Sequence, residues 1–249
     1  PIWRMPMRFA LLALALSSPF LASAHAADCA ALPKWKDLKA ALVSARKLDN
    51  GGFNLDMWGT LVNRDGEVCA VAFTGADRGS QWPGSRVISA QKANTANAFS
   101  LPGLALSTAN LFSAVQPGGS LFGLQASNPV DTEVAYDGDA KKFGQENDPM
   151  TGKRIGGVNV FGGGLALYNE KGELVGGLGV SGDSSCADHN IAWHTRKALA
   201  LDFVPGGVSP AKDDNVIYLG KKEAANGFKH PVCGGKEDKA VLPPVAKKK

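Results

Sequence analysis

Apolar positions recur every three or four residues through "WKDLKAALVSARKLD". Leu38, Ala41, Leu42, Ala45 and Leu48 form one stripe, which predicts an amphipathic helix. "NGG" at 50–52 supplies its stop. The period then shortens to two. "LDMWGTLVNRDGEVCAVAFTG" alternates on either side of Arg64-Asp65-Gly66, the pattern of a hairpin closed by an Asp-Gly turn. "GSRVISAQKANTANAF" returns to helical spacing and is built largely from small residues, so a neighbour can approach it closely. A shorter helix, "ALSTANLFSAV", follows Pro102-Gly103. Residues 116–157 show no period; so long a connection usually carries function or moves.

The pattern resumes with two strands, "VNVFGGGLALYN" and "ELVGGLGVSG", joined at Glu170-Lys171-Gly172 as a second hairpin. "SCADHNIAWHTRKALAL" then reads as a helix with Ser184 or Ser185 as its N-cap. Beyond Asp202 the chain is loop-rich, with one possible strand at 216–219. No long repeat and no clear linker interrupts it. One domain with arms is the economical reading.

The second hairpin contains Gly177-x-Gly179-x-x-Gly182, which matches the dinucleotide-binding fingerprint, and Asp202 stands 20 residues beyond Gly182. The surroundings argue against that fold. A fingerprint strand belongs to a parallel βαβ unit, whereas this one follows its partner through a tight turn. After the helix, Pro205 and Gly206-Gly207 interrupt the place where the next buried strand should run. The glycines are better read as keeping a central strand thin enough for a helix or ligand to press against it.

Composition adds the compartment. "MRFALLALALSSPFLASAHA" combines Arg8, an apolar core and the Ala24-His25-Ala26 cleavage pattern, so residues 1–26 are expected to be a signal peptide. Its apolar run is too short for an ordinary membrane span. The expected product is periplasmic or secreted, without a membrane span after cleavage. Removing Arg4 and Arg8 leaves 25 basic residues against 23 acidic ones, too even a balance for a nucleic-acid partner. The terminal "AKKK" reads as a disordered basic end of an arm spanning 202–249.

Cys29, Cys69, Cys186 and Cys233 include no C-x-x-C pair, which weakens zinc and thioredoxin-like readings. In an oxidising compartment an even number favours two disulfides, with three pairings open. The expected pairing, Cys29–Cys69 with Cys186–Cys233, ties both arms to the body; buried free thiols are the alternative.

"ISAQKANTANAF", "NRDGEVCAVAFTGAD" and "FGGGLALYNEKGELVGGLGVSGDSSCADHNIA" together resemble the GlcG/HbpS-like family, which also includes the C-terminal domain of PduO. The resemblance covers about residues 38–201, and the GVSG segment with the K-A-x-T-A helix is its most specific part. It implies an α/β (α+β) sandwich: a five-stranded, mostly antiparallel, profilin-like sheet flanked by helices over 27–201. It also implies homo-oligomers and, for several members, haem or another tetrapyrrole as ligand. The departures are Leu165 and Ala166 where the family often has proline, His189 in place of an acidic residue, and the length of the 116–157 loop.

Against that background, His189, His194 and His230 are the candidate haem-iron ligands, since His25 leaves with the leader. His189 and His194 are five residues apart, about 140° around a helix, so they form no single chelating face. His230 can approach that helix if Cys233 pairs with Cys186. Lys92 and Arg78 are candidate partners for a ligand carboxylate such as a haem propionate, Thr95 for a polar contact, and Asp188 for the ligand or a cation. A Ser181 hydrolase is disfavoured because Asp183 stands where G-x-S-x-G needs its second glycine. The sequence thus points to an exported binder of haem or another small ligand. A haem- or metabolite-transforming enzyme and an oligomeric accessory protein of a redox system are the alternatives.

Overall fold

The computed structural model describes residues 29–220 and 227–247; the expected signal peptide lies outside them. Helix α1 (Trp35–Arg46) buries Leu38, Ala41, Leu42 and Ala45, while Asp37 in its first turn accepts the Lys34 backbone N–H. Strands β1 (Trp58–Asn63) and β2 (Val68–Phe73) form the first hairpin. In its turn, Asn63 Oδ1 accepts the backbone N–H groups of Asp65 and Glu67, and Gly66 takes a positive φ of 76°. Helix α2 (Ser85–Phe99) follows, then the short helices α3 (Thr108–Leu111) and α4 (Thr132–Tyr136). Strands β3 (Gly164–Tyr168) and β4 (Leu174–Ser181) make the second hairpin, and α5 (Ser185–Ala198) starts at Ser184, whose Oγ accepts the Ala187 N–H.

All neighbouring strands are antiparallel, in the order β2-β1-β4-β3. Helices cover both faces. Leu61, Leu165, Leu167, Leu178 and Val180 pack with Leu38 and Leu42 of α1 and Ile191, Ala192 and Trp193 of α5. Trp58, Val62, Val68 and Val71 pack on the other side with Val87, Ala90 and Ala93 of α2. Because both faces are covered, β1 is buried along its whole length.

Among the described residues the sheet has four strands, one fewer than the resemblance implied. Each edge is instead touched by a short piece of irregular chain. Val68 of β2 exchanges backbone bonds with Lys153 and Gly152, and Tyr168 of β3 donates to Leu201 O and accepts from Phe203 N–H. Pro205 lacks the N–H that would continue the second contact. The possible strand at 216–219 is likewise a single bridge, Tyr218 with His230.

Both expected disulfides are present, Cys29–Cys69 and Cys186–Cys233. The C-terminal arm is packed into the body. Asp214 forms a two-pronged ion pair with Arg196, at 2.7 and 2.8 Å, with both side chains fully buried. Trp193 Nε1 donates to Pro243 O, and Ala246 N–H donates to Asp202. The end expected to be free is therefore anchored at least to Ala246. Among the described residues, no helix is long and apolar enough to cross a membrane.

Candidate functional site

The residues singled out from sequence separate into two regions. The first is the corner where α5 begins. Lys92 of α2 donates to Asp188 of α5 at 2.7 Å and to Val180 O at 3.1 Å, and Asp188 also accepts the Asp183 N–H. Burial pushes Asp188 up to about 6 and Lys92 down, because each charge has lost its water. Each is the other's counter-charge, so the pair locks α2 to α5 and leaves neither group free for a ligand. Thr95 is also structural: its Oγ1 donates to Gln91 O and accepts the Asn159 N–H.

His189 is fully buried in the same corner. Asn215 Oδ1 accepts the Val216 N–H at 2.7 Å and lies 3.2 Å from His189 Nε2. His189 Nε2 also stands 3.2 Å from the Val216 nitrogen, so both neighbours meet this ring nitrogen, while the buried Nδ1 has no hydrogen-bond partner among the described residues. Burial holds His189 down at about 4, hence neutral at ordinary pH. His230 approaches α5 as the Cys186–Cys233 bridge requires. Its Nδ1 lies 2.7 Å from Pro231 O and its Nε2 2.7 Å from Ser185 Oγ, which also accepts the Gly162 N–H. His194 is half-buried and its side chain makes no hydrogen bond to the described residues; burial lowers its pKa. The structure thus gathers His189 and His230 at one helix end, both engaged, with His194 farther along α5.

Arg78 belongs to the second region, an open cleft of about 540 Å³ at the N-terminal end of α2. Trp58, Val87, Pro83, Tyr136 and Phe143 give it apolar walls. Arg78 and Asp77 stand at an exposed turn on its rim, and no histidine among the described residues lines it. One wall comes from the 116–157 loop and is held by a buried ion pair. Arg86 donates from Nε and Nη2 to Asp148 and stacks its guanidinium 3.6 Å from the Phe143 ring centroid. Asp148 also accepts the Gly144 and Met150 N–H groups, which fixes the loop's path.

Arg78 is the one sequence candidate that lines this cleft; Trp58, Tyr136, Phe143 and the Arg86–Asp148 strut were not among the candidates. For Tyr136 and Phe143, aromatic side chains within residues 116–157 were the available signal. The ion pair, 62 residues apart in the chain, gave none. A larger cavity, about 680 Å³, lies between the end of α1 and the C-terminal arm. Its lining includes Lys47, Asn50, Asp183, Lys236 and Lys239 and, among the described residues, no aromatic one, which suits a solvated polar ligand better than a flat apolar one.

A family model described as a haem-degrading protein, HbpS-like, matches residues 39–196. Among solved structures, a PduOC–haem complex is 24% identical, covering 66% of this chain and 89% of its own, with a TM-score of 0.45. Protein ORFY of Klebsiella pneumoniae is 23% identical, covering 66% and 87%, with a TM-score of 0.44. A double mutant of HbpS from Streptomyces reticuli is 18% identical, covering 76% and 98%, with a TM-score of 0.44. No curated protein matches.

Proposed function

We propose, from the premise that this chain belongs to the HbpS-like family, that it is an exported protein that binds and sequesters haem or a similar tetrapyrrole. The observation that carries the reading is the cleft beside Arg78: aromatic and aliphatic walls of a size that accepts a flat macrocycle, with a cation at the rim. Phe143 and Pro83 would cover the ring faces, with Trp58 and Val87 forming the floor beneath, and Arg78 would meet an acidic side group. Tyr136 is the lining side chain whose oxygen suits ferric iron. Bound haem would supply a redox-active iron; the protein's part is to hold it and shield it from water. The two disulfides support an oxidising compartment. Homo-oligomer formation belongs to the same proposal, on family grounds alone.

The test is a haem titration followed at the Soret band. A saturable shift is expected. Arg78→Gln should weaken it about fivefold, the size of one exposed charge-assisted contact of about 1 kcal/mol. Gly84 lines the cleft and has open space where a Cβ would stand, so Gly84→Leu fills the cleft without strain and should abolish the shift. No saturable shift at all would overturn the binding reading. A shift indifferent to both changes but lost on replacing His189, His194 and His230 together would move the site to α5.

A further inference from the structure

The corner holding His230 has chemistry that haem binding does not use. Cys186 Sγ lies 3.8 Å from His230 Nδ1, and the ligating atoms of Cys186, His230 and Cys233 all fall within 4.8 Å of one another. The two sulfurs form a disulfide, so the cluster binds no metal in this state. We propose that opening the Cys186–Cys233 disulfide converts this corner into a Cys2His site for zinc or another thiophilic divalent ion.

The disulfide is asymmetric in a way that suits exchange. Cys233 is exposed, whereas Cys186 is buried in the first turn of the 14-residue helix α5. A dithiol reductant attacks Cys233 Sγ; the S–S bond breaks and its electron pair leaves on Cys186 Sγ. The Cys186 N–H at the start of α5 donates to Cys233 Sγ at 3.2 Å and polarises the sulfur under attack, while the positive end of the helix favours a thiolate on Cys186. The reductant's second thiol then displaces Cys233 and departs as its own disulfide. Two electrons have moved, and two thiols remain beside an imidazole.

The surroundings supply what a zinc site needs beyond its ligands. Tetrahedral sites with Zn–S of about 2.3 Å and Zn–N of about 2.0 Å put sulfur and nitrogen about 3.5 Å apart, so the Cys186–His230 pair at 3.8 Å needs a shift of only about 0.3 Å. His230 must ligate through Nδ1, which gives up its hydrogen bond to Pro231 O, 2.7 Å away, and its proton moves to Nε2, where Ser185 Oγ stands 2.7 Å away to accept it. A ligating histidine held from its other nitrogen is the usual second-layer arrangement. Solvent on the exposed side of Cys233 completes the coordination.

The experiment uses the full chain, reduced with a phosphine, desalted without oxygen and titrated with Co2+. Expected is one Co2+ per chain, with thiolate charge-transfer and tetrahedral d–d bands that Zn2+ abolishes. The oxidised protein should show none. His230→Asn should weaken binding more than about tenfold, and a Cys29→Ser/Cys69→Ser variant should keep the bands. Failure of the reduced protein to bind, for whatever reason, overturns the proposal. So do bands that survive Cys186→Ser/Cys233→Ser or an affinity indifferent to His230→Asn.

Discussion

Single residues in the α5 corner carry a pH dependence whose sign is fixed. His189 sits at about 4 in the folded protein against about 6.5 for a free imidazole. Below pH 6.5 the unfolded chain takes up a proton that the folded chain refuses. Its contribution is therefore fully present above pH 6.5 and is lost as pH falls toward 4, to a total on the order of 3 kcal/mol. His230, also lowered, acts in the same direction. Asp188 opposes both: raised to about 6, it takes its proton first in the folded state and gains stability over much of the same window. The His189 share is isolated by comparing wild type with His189→Gln in urea unfolding at about pH 7 and about pH 4.5. Wild type should lose more stability over that interval than the variant. Parallel losses would mean that His189 is not the buried neutral group described above. His189 and Lys92 also show what residue type conceals. Both read from sequence as ligands, and tertiary burial made one a neutral wedge and the other half of an ion pair.

At the scale of elements, the glycines of β4 explain both a false fingerprint and a packing limit. A Cβ at Gly177 would collide with Ala93 O, and one at Gly179 with Ser89 O and with Ala93 N at 2.5 Å, all backbone of α2. The small residues of α2 and the missing side chains of β4 together let helix and sheet approach closely. Gly179→Ala must push α2 outward. It should cost about 3 kcal/mol or more, the upper range for overpacking a rigid contact, and lower the Tm by about 6 °C or more. Gly103→Ala, at a site with open space, is the control and should move the Tm little. Calorimetry of the two variants decides whether this contact is as tight as described. Both hairpins were legible because their turns are local: Asp65-Gly66 and Lys171-Gly172 announce themselves within a few residues. The missing fifth strand was not legible, because an edge segment becomes a strand or a single bridge according to what lies beside it. Residues 116–157 look structureless in sequence because Arg86 and Asp148 hold them through a contact across the fold.

The whole molecule is a sheet clamped by its own ends. Each disulfide closes a long loop, with sequence separations of 40 and 47, and on a chain-entropy view each contributes about 4 kcal/mol by restricting the unfolded chain. The C-terminal arm adds a clamp of another kind. Arg196 Nη1 reaches both Asp214 and Ala166 O, so one guanidinium joins α5, the edge strand β3 and the arm. Two buried charges are expensive to desolvate, and their pairing repays that cost only while both are present. Asp214→Ala should therefore cost about 3–5 kcal/mol, since it leaves Arg196 charged and buried. Replacing both partners, Arg196→Met with Asp214→Leu, should cost much less, because no charge is left without a partner. A denaturant series on the two variants separates the explanations. A double variant as unstable as the single one would mean that the ion pair itself, rather than relief from an orphaned charge, holds the arm against the sheet.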